Sequence, residues 1–148
     1  MSPHTTPSPQ LLDVASPDLA HWLELPAHRS GVRVARHAMG ARLTEWRVPE
    51  AVRDDAVLLV SELATNGVCH TPSTRLLCGI GLIADRSLRI EVHDHDYAGT
   101  SLPDCTPCAD DESGRGLFIV QAVADTWGVD RSALTGGKAV WATLSLGC

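Results

Sequence analysis

Aromatic residues are scarce in this chain, and what the sequence lacks excludes several classes of protein. One Phe, one Tyr and four Trp are present among 148 residues, so the core must be largely aliphatic. No apolar run approaches the roughly 20 residues of a membrane span, and the N-terminus lacks the basic start and apolar stretch of a secretory signal. The five cysteines are odd in number and irregularly spaced, which argues against a disulfide framework and predicts a cytoplasmic location.

Basic residues are outnumbered by acidic ones, and the formal net charge is −6. This balance argues against direct binding to nucleic acid, because nucleic-acid-binding domains normally carry a basic surplus. Charged residues make up 20% and apolar residues 44% of the chain, which is typical of a soluble globular domain. The length suits one domain with a single core. We expect a disordered tail over residues 1–18 and one domain over residues 19–148.

Apolar periodicity divides the domain into strands and helices. The predicted elements are a strand over 20–26, helices over 30–46 and 49–70, strands over 75–84 and 87–93, a helix from near Gly116, and a hairpin over 127–146 that turns at Thr135-Gly-Gly. Residues 95–114 show no periodicity, and a loop of that length usually has a function. This order predicts the α+β class, as a two-layer sandwich with helices on one face of a mixed, mostly antiparallel sheet.

Three polar residues recur along the second predicted helix. Glu62, Asn66 and His70 are spaced four residues apart, so they project along one side of the helix, at the border of its apolar stripe. A carboxylate, an amide and an imidazole in this arrangement suit a hard-cation site with a base beside it. The spacing alone favours a polar helix edge that ends in a histidine facing the helix dipole.

Two further candidates flank the long loop. Asp94 follows a predicted strand, where its carboxylate can accept a hydrogen bond from an exocyclic amine such as that of adenine, although an Asp that begins a loop is also ordinary turn chemistry. Residues 112–117 read Glu-Ser-Gly-Arg-Gly-Leu just before a helix. Glycines there let the backbone approach a ligand, helix-start amides favour phosphate, and Arg115 can add a guanidinium contact. A glycine-containing junction between loop and helix is also common without any ligand.

Taken together in this order, the three candidate segments resemble the sequence motifs of the Bergerat-fold ATPases. This is the superfamily of gyrase and the sensor histidine kinases. The segment Ser61-Glu-Leu-Ala-Thr-Asn-Gly-Val-Cys-His70 resembles their N box. Asp94 resembles the adenine-reading Asp of their first glycine box, and residues 113–117 resemble their second. The closest resemblance is to the small anti-sigma-factor serine/threonine kinases, which share the sequence pattern Ser-Glu-x-x-Thr-Asn-x-x-x-His. It extends over residues 20–146.

The resemblance implies the Bergerat ATP-binding fold, with ATP and Mg²⁺ as cofactors. Glu62 is then the general base and Asn66 the Mg²⁺ ligand, residues 96–113 form a nucleotide lid, and Arg36 contacts a protein partner. The remaining residues that the resemblance places at the nucleotide are His70, Asp94, Gly99, Gly114, Arg115, Gly116 and Leu117.

The implied activity is transfer of the ATP γ-phosphate to a Ser or Thr of a protein partner. The implied partners are a sigma factor or an anti-anti-sigma protein of the STAS type, and a homodimer is compatible with this class. Two alternatives stay open: a catalytically weak nucleotide-binding module that sequesters a transcription regulator, and a free-standing ATPase. The set of Glu62, Asn66 and His70 favours the kinase.

Departures from the family pattern favour the binding module. Asp96 and Ala98 stand where the first box has glycines, and Gly99 is one place late. Ala139 stands near the position of a Thr that helps to hold adenine. A separate alternative is a zinc site, in which His93 and His95 would join Cys105 and Cys108, although a lone Cys-x-x-Cys has low specificity.

Overall fold

The computed structural model describes residues 11, 19–71, 73–83, 86–95 and 112–147, with only the backbone of His70 and of residues 112–117. Within these ranges the chain forms five strands and three helices. In order they are β1 (Ala20–Pro26), α1 (Arg29–Glu45), α2 (Glu50–His70), β2 (Arg75–Ile83), β3 (Ser87–His93), α3 (Glu112–Val123), β4 (Thr126–Arg131) and β5 (Lys138–Ser145).

The five strands form one sheet in the order β1-β2-β3-β5-β4. The α+β prediction is confirmed, but every pairing among the described strands is antiparallel, so the predicted mixed sheet is corrected. The reason is the connections: β2–β3 and β4–β5 are hairpins, and α3 leads from β3 to the far edge of the sheet. β5 then returns between β3 and β4, antiparallel to both.

The core lies between the helices and one face of the sheet. Along α1 the buried residues are Gly31, Ala35, Met39 and Leu43, a spacing of four that makes one stripe of the helix apolar. The sheet contributes alternate residues of its central strands, because successive side chains of a strand point to opposite faces. On β3 these residues are Leu88, Ile90 and Val92. None of the described helices is long and apolar enough to cross a membrane.

The helix that follows the long loop begins earlier than the sequence predicts. α3 starts at Glu112, whereas the prediction placed its start near Gly116. Gly114 and Gly116 therefore lie within the first two turns of a helix rather than in a loop before it. Glycine weakens a helix by only about 1 kcal/mol, so two glycines do not prevent helix formation there. Apolar periodicity starts only after these glycines, which is why it places the start too late.

On the sheet face away from the helices, β3 carries polar side chains that are buried. Arg89 and Glu91 alternate with the core residues of β3, yet they are only 6% and 0% exposed. Leu11, which falls in the predicted tail, is also buried, and its backbone amide donates a hydrogen bond to Glu91 Oε2 over 2.6 Å. The rest of that tail lies outside the described residues. This part of the N-terminal segment therefore contacts the sheet.

Candidate functional site

The end of α2 and the end of β3 enclose a small cavity between the helix layer and the sheet. Asn66 lines it from α2, and Asp94, the residue after β3, lines it from the sheet. The other lining residues are Leu63, Gly67, Thr71, Val92, Lys138 and Val140. Its volume of about 20 Å³ is the room of a single water molecule. A larger ligand therefore requires neighbouring side chains to move.

The Asp94 carboxylate is anchored to the start of β5. The residue is 4% exposed, and its Oδ1 accepts a hydrogen bond from the backbone amide of Lys138 over 2.9 Å. The Asp94 amide donates to the Lys138 carbonyl oxygen, also over 2.9 Å. A buried carboxylate of fixed orientation is a good acceptor for an N–H group of a ligand. This placement is compatible with the base-reading role predicted for Asp94.

Asn66 presents an unsatisfied oxygen beside that carboxylate. The residue is 5% exposed, and its Oδ1 has no hydrogen-bond partner in the part of the chain that the structure describes. A buried polar atom without a partner costs about 1–3 kcal/mol, and such atoms in folded proteins call for an explanation. An amide oxygen is among the ligands that hard cations such as Mg²⁺ accept. The chemistry of Asn66 therefore fits the magnesium position that the resemblance implies.

The single lysine of the chain is a cavity residue that sequence reasoning missed. Lys138 lines the cavity, and its Nζ lies 3.8 Å from Asp94 Oδ2, with both side chains at least nine-tenths buried. Ala139 is the next residue on β5, and neighbouring strand residues point to opposite faces. Ala139 pairs with His93 and is not among the lining residues. The feature of the sequence that could have identified it is that Lys138 is the one lysine in a chain with eleven arginines, and that it directly follows two glycines.

Glu62 lies outside this cavity, in a wide groove between α1 and α2. The groove has a volume of about 780 Å³. Its lining includes Arg36 and His37 from α1, and Arg53, Asp54 and Glu62 from α2. Because Glu62 precedes Asn66 by four residues, the two side chains project from the same side of α2, one turn apart. The structure thus places the predicted base at the groove and the predicted cation ligand in the adjoining cavity.

A buried charged cluster lies behind Asp94, on the opposite face of β3. Glu91 Oε2 accepts a hydrogen bond from Arg89 Nε and Glu91 Oε1 pairs with His93 Nε2, each over 2.6 Å. Burial by itself raises the pKa of Glu91. Hydrogen bonds from His93 and Arg89, together with the guanidinium charge, outweigh burial and hold this pKa below its ordinary value. The sequence pattern does not indicate a joint role for these residues. Strand alternation shows that they share a face of β3, but it does not show that other parts of the chain bury that face.

Several predicted site residues have no described side chain. Gly99, most of the predicted lid, Cys105 and Cys108 lie outside the described residues. The backbone of residues 114–117 lies in the first turns of α3, and His70 is the last residue of α2. His93 uses both ring nitrogens in hydrogen bonds to Glu91 and Ser132, so it is not available to the alternative zinc site. The described residues contain no group of three or more metal-ligating side chains.

Comparisons with known proteins identify the class of protein to which this fold belongs. The sequence profile of the histidine kinase-like ATPase domain matches residues 25–144. The chain therefore belongs to the histidine kinase-like ATPase family, and ATP is the nucleotide that this membership implies. No curated protein matches the sequence significantly.

Solved structures support the same fold. The chain is similar to the crystal structure of the RsbU and RsbW domains of Rv1364c from Mycobacterium tuberculosis, with a TM-score of 0.63 and 20% sequence identity. The match covers 85% of this chain and 32% of that one. The chain thus spans about a third of the length of this structural relative.

Proposed function

We propose that this protein binds ATP with Mg²⁺ and transfers the γ-phosphate to a Ser or Thr of a protein partner. The observation that carries the proposal is the unsatisfied Oδ1 of buried Asn66, which shares one cavity with the buried carboxylate of Asp94. The amide oxygen of Asn66 supports a position for the cation, and the carboxylate of Asp94 supports a position for the base, of a bound adenine nucleotide.

Each residue in this proposal has one task. Asp94 accepts a hydrogen bond from the adenine amine, and Asn66 would hold Mg²⁺, which offsets phosphate charge when it is bound. Glu62 accepts the proton of the attacking hydroxyl group as general base. Most of the rate enhancement in phosphoryl transfer comes from positioning and electrostatics, so a single base on a rigid helix suffices.

The groove between α1 and α2 supports a protein as the phosphoryl acceptor. It is far larger than the Asp94 cavity, and its lining places Arg36 and Glu62 on one surface. Arg36 and His37 are exposed there, where they can contact a partner. We propose a sigma factor or an anti-anti-sigma protein of the STAS type as this partner, consistent with the RsbW domain of the structural relative.

A non-catalytic binding module is the second candidate. The observation that favours it is the volume of the Asp94 cavity, which holds one water rather than a purine. In this case the groove sequesters a regulator and nucleotide only adjusts the affinity. Labelled ATP and a purified partner separate the two candidates, because the kinase labels the partner and the module does not. A free-standing ATPase would release phosphate without a partner.

ATP binding is expected to depend on Mg²⁺ and on Asn66. Calorimetric titration with ATP should show binding in the presence of Mg²⁺ and much weaker binding in excess chelator. Asn66→Ala should remove this difference, because it deletes the oxygen that would hold the cation. Asp55→Ala, at an exposed position of the same helix that lines neither the cavity nor the groove, is the control and should retain the Mg²⁺ dependence. No binding of ATP at millimolar concentration would contradict the proposal.

Gly137→Ala is expected to weaken ATP binding about tenfold, which corresponds to about 1.4 kcal/mol. A Cβ atom at this position would collide with the carbonyl oxygen of Asp94 and lie 2.6 Å from its Oδ1, so the carboxylate must shift. Gly40→Ala is the control, because its Cβ would lie 3.5 Å from Val57, an ordinary contact. Calorimetric dissociation constants for both variants check the expectation. Equal affinity of the Gly137 variant and the native chain would show that the site tolerates displacement of Asp94.

A further inference from the structure

The turn between β4 and β5, residues 132–137, is hydrogen-bonded to Asp94 through Thr135. The Thr135 hydroxyl group donates to the Asp94 carbonyl oxygen over 2.5 Å and accepts from the Gly137 amide over 3.1 Å. Together with the bonds between Asp94 and Lys138 described above, this contact anchors the backbone of Asp94 on two sides. Thr135 therefore restricts movement of the Asp94 backbone, from which the carboxylate projects.

Ser132 in turn holds Thr135 in place. Its Oγ accepts hydrogen bonds from the amides of Leu134 and Thr135, over 3.1 and 2.9 Å. The same oxygen lies 2.6 Å from His93 Nδ1. Because two amides already occupy the lone pairs of the hydroxyl oxygen, Ser132 must donate its proton to His93. The turn is thus bonded to both His93 and Asp94, two consecutive residues that project from opposite faces of the sheet.

This donor assignment fixes the tautomer of His93. With Nδ1 as an acceptor, the ring proton lies on Nε2 and is donated to Glu91 Oε1. The chain of hydrogen bonds runs from Glu91 through His93, Ser132 and Thr135 to Asp94. Glu91 and His93 are 0% exposed and Ser132 is 3% exposed, whereas Thr135 is half-buried. Loss of a bond between the buried members leaves its partner unsatisfied away from water, which is costly.

We propose that Ser132 and Thr135 are positioning residues that hold the Asp94 carboxylate in the orientation that recognises the amino group of adenine. Neither residue lines the cavity, so both act through Asp94 rather than through contact with the nucleotide. The proposal rests on the proposed function, in which Asp94 accepts that amine. It adds that selectivity for the 6-amino group depends on a turn outside the cavity.

The test compares ATP with purine riboside triphosphate, which lacks the 6-amino group. Calorimetry in the presence of Mg²⁺ gives the ratio of the two dissociation constants, which reports recognition of the amine alone. In the native chain ATP should bind more tightly, and Asp94→Asn should bring the ratio close to one. Thr135→Val should reduce the ratio about tenfold, mainly by weakening ATP, whereas Thr135→Ser should retain it because the hydroxyl donor is preserved.

Ser132→Ala is the second variant, for the case in which Thr135→Val does not fold. It leaves Thr135 in place but removes the acceptor of two turn amides, and the ratio should fall in the same direction. A purely structural role would weaken both nucleotides equally and leave the ratio unchanged, which overturns the proposal. If the native ratio is already one, or if Asp94→Asn does not change it, the failure lies in the proposed role of Asp94 itself.

Discussion

Replacement of Glu62 by glutamine is expected to reduce phosphoryl transfer to the partner by about 10²–10⁴-fold, the usual contribution of a general base. The dissociation constant for ATP should change little, since Glu62 lines the groove rather than the cavity that contains Asn66 and Asp94. Glutamine keeps the shape of the side chain but cannot accept the hydroxyl proton. Single-turnover transfer of labelled phosphate, measured beside calorimetric binding of ATP, separates the two effects.

Asp55→Asn is the control for this substitution. Asp55 is an exposed carboxylate of α2 that lines neither the groove nor the cavity. Its replacement should leave the rate of transfer within a few-fold of the native rate. Unchanged transfer by the Glu62 variant would exclude Glu62 as the base. Parallel loss of ATP binding and transfer would instead assign it a structural role.

Glu91→Gln is expected to destabilise the fold by about 3–5 kcal/mol, the cost of leaving one partner of a buried ion pair alone. Glu91 is fully buried and accepts hydrogen bonds from Arg89, His93 and the Leu11 amide. A neutral amide cannot compensate the guanidinium charge of Arg89. Urea denaturation at neutral pH measures the loss. Glu45→Gln is the control: its ion pair with Arg42 is exposed and should contribute less than about 1 kcal/mol.

The same residue should make stability depend on pH in the acid range. The pKa of Glu91 in the folded state lies below its ordinary value of 4.5. Its contribution is therefore fully present above about pH 4.5 and is lost as the pH falls through the lowered folded-state value. The Glu91→Gln chain should lose less stability than the native chain over this range. Identical pH profiles for the two chains would contradict the role assigned to the buried carboxylate.

Local patterns were sufficient to predict most of the fold. The spacing of Ala35, Met39 and Leu43 identifies α1, and alternation identifies β3, because both periods reflect how side chains leave the backbone. The predicted start of α3 was too late because Gly114 and Gly116 have low helix propensity. In the structure this low propensity does not prevent the helix from forming at these residues. The prediction of a mixed sheet was wrong, because the relative direction of paired strands depends on how distant segments of the chain pair.

The candidate site was predicted only in part. Glu62, Asn66 and Asp94 are predicted by spacing and by resemblance to a family motif, both of which are properties of short segments. Lys138, Ser132 and Thr135 were missed, since their contacts to Asp94 and His93 span about 40 residues of sequence. Thr135 lies in a glycine-containing turn, where threonine is common. Nothing in the local sequence shows that its hydroxyl group bonds Asp94 and not only the turn itself.

The sequence by itself determined the class of fold, the single core and the residues that form the N-box-like helix, because periodicity and residue chemistry are local. The tertiary structure alone decided that Glu62 faces a groove while Asn66 faces the Asp94 cavity. It also decided that the polar face of β3 is buried, with Leu11 bonded to Glu91. These outcomes depend on which distant surfaces pack together, and the cost of burying polar groups then determines which of them must pair.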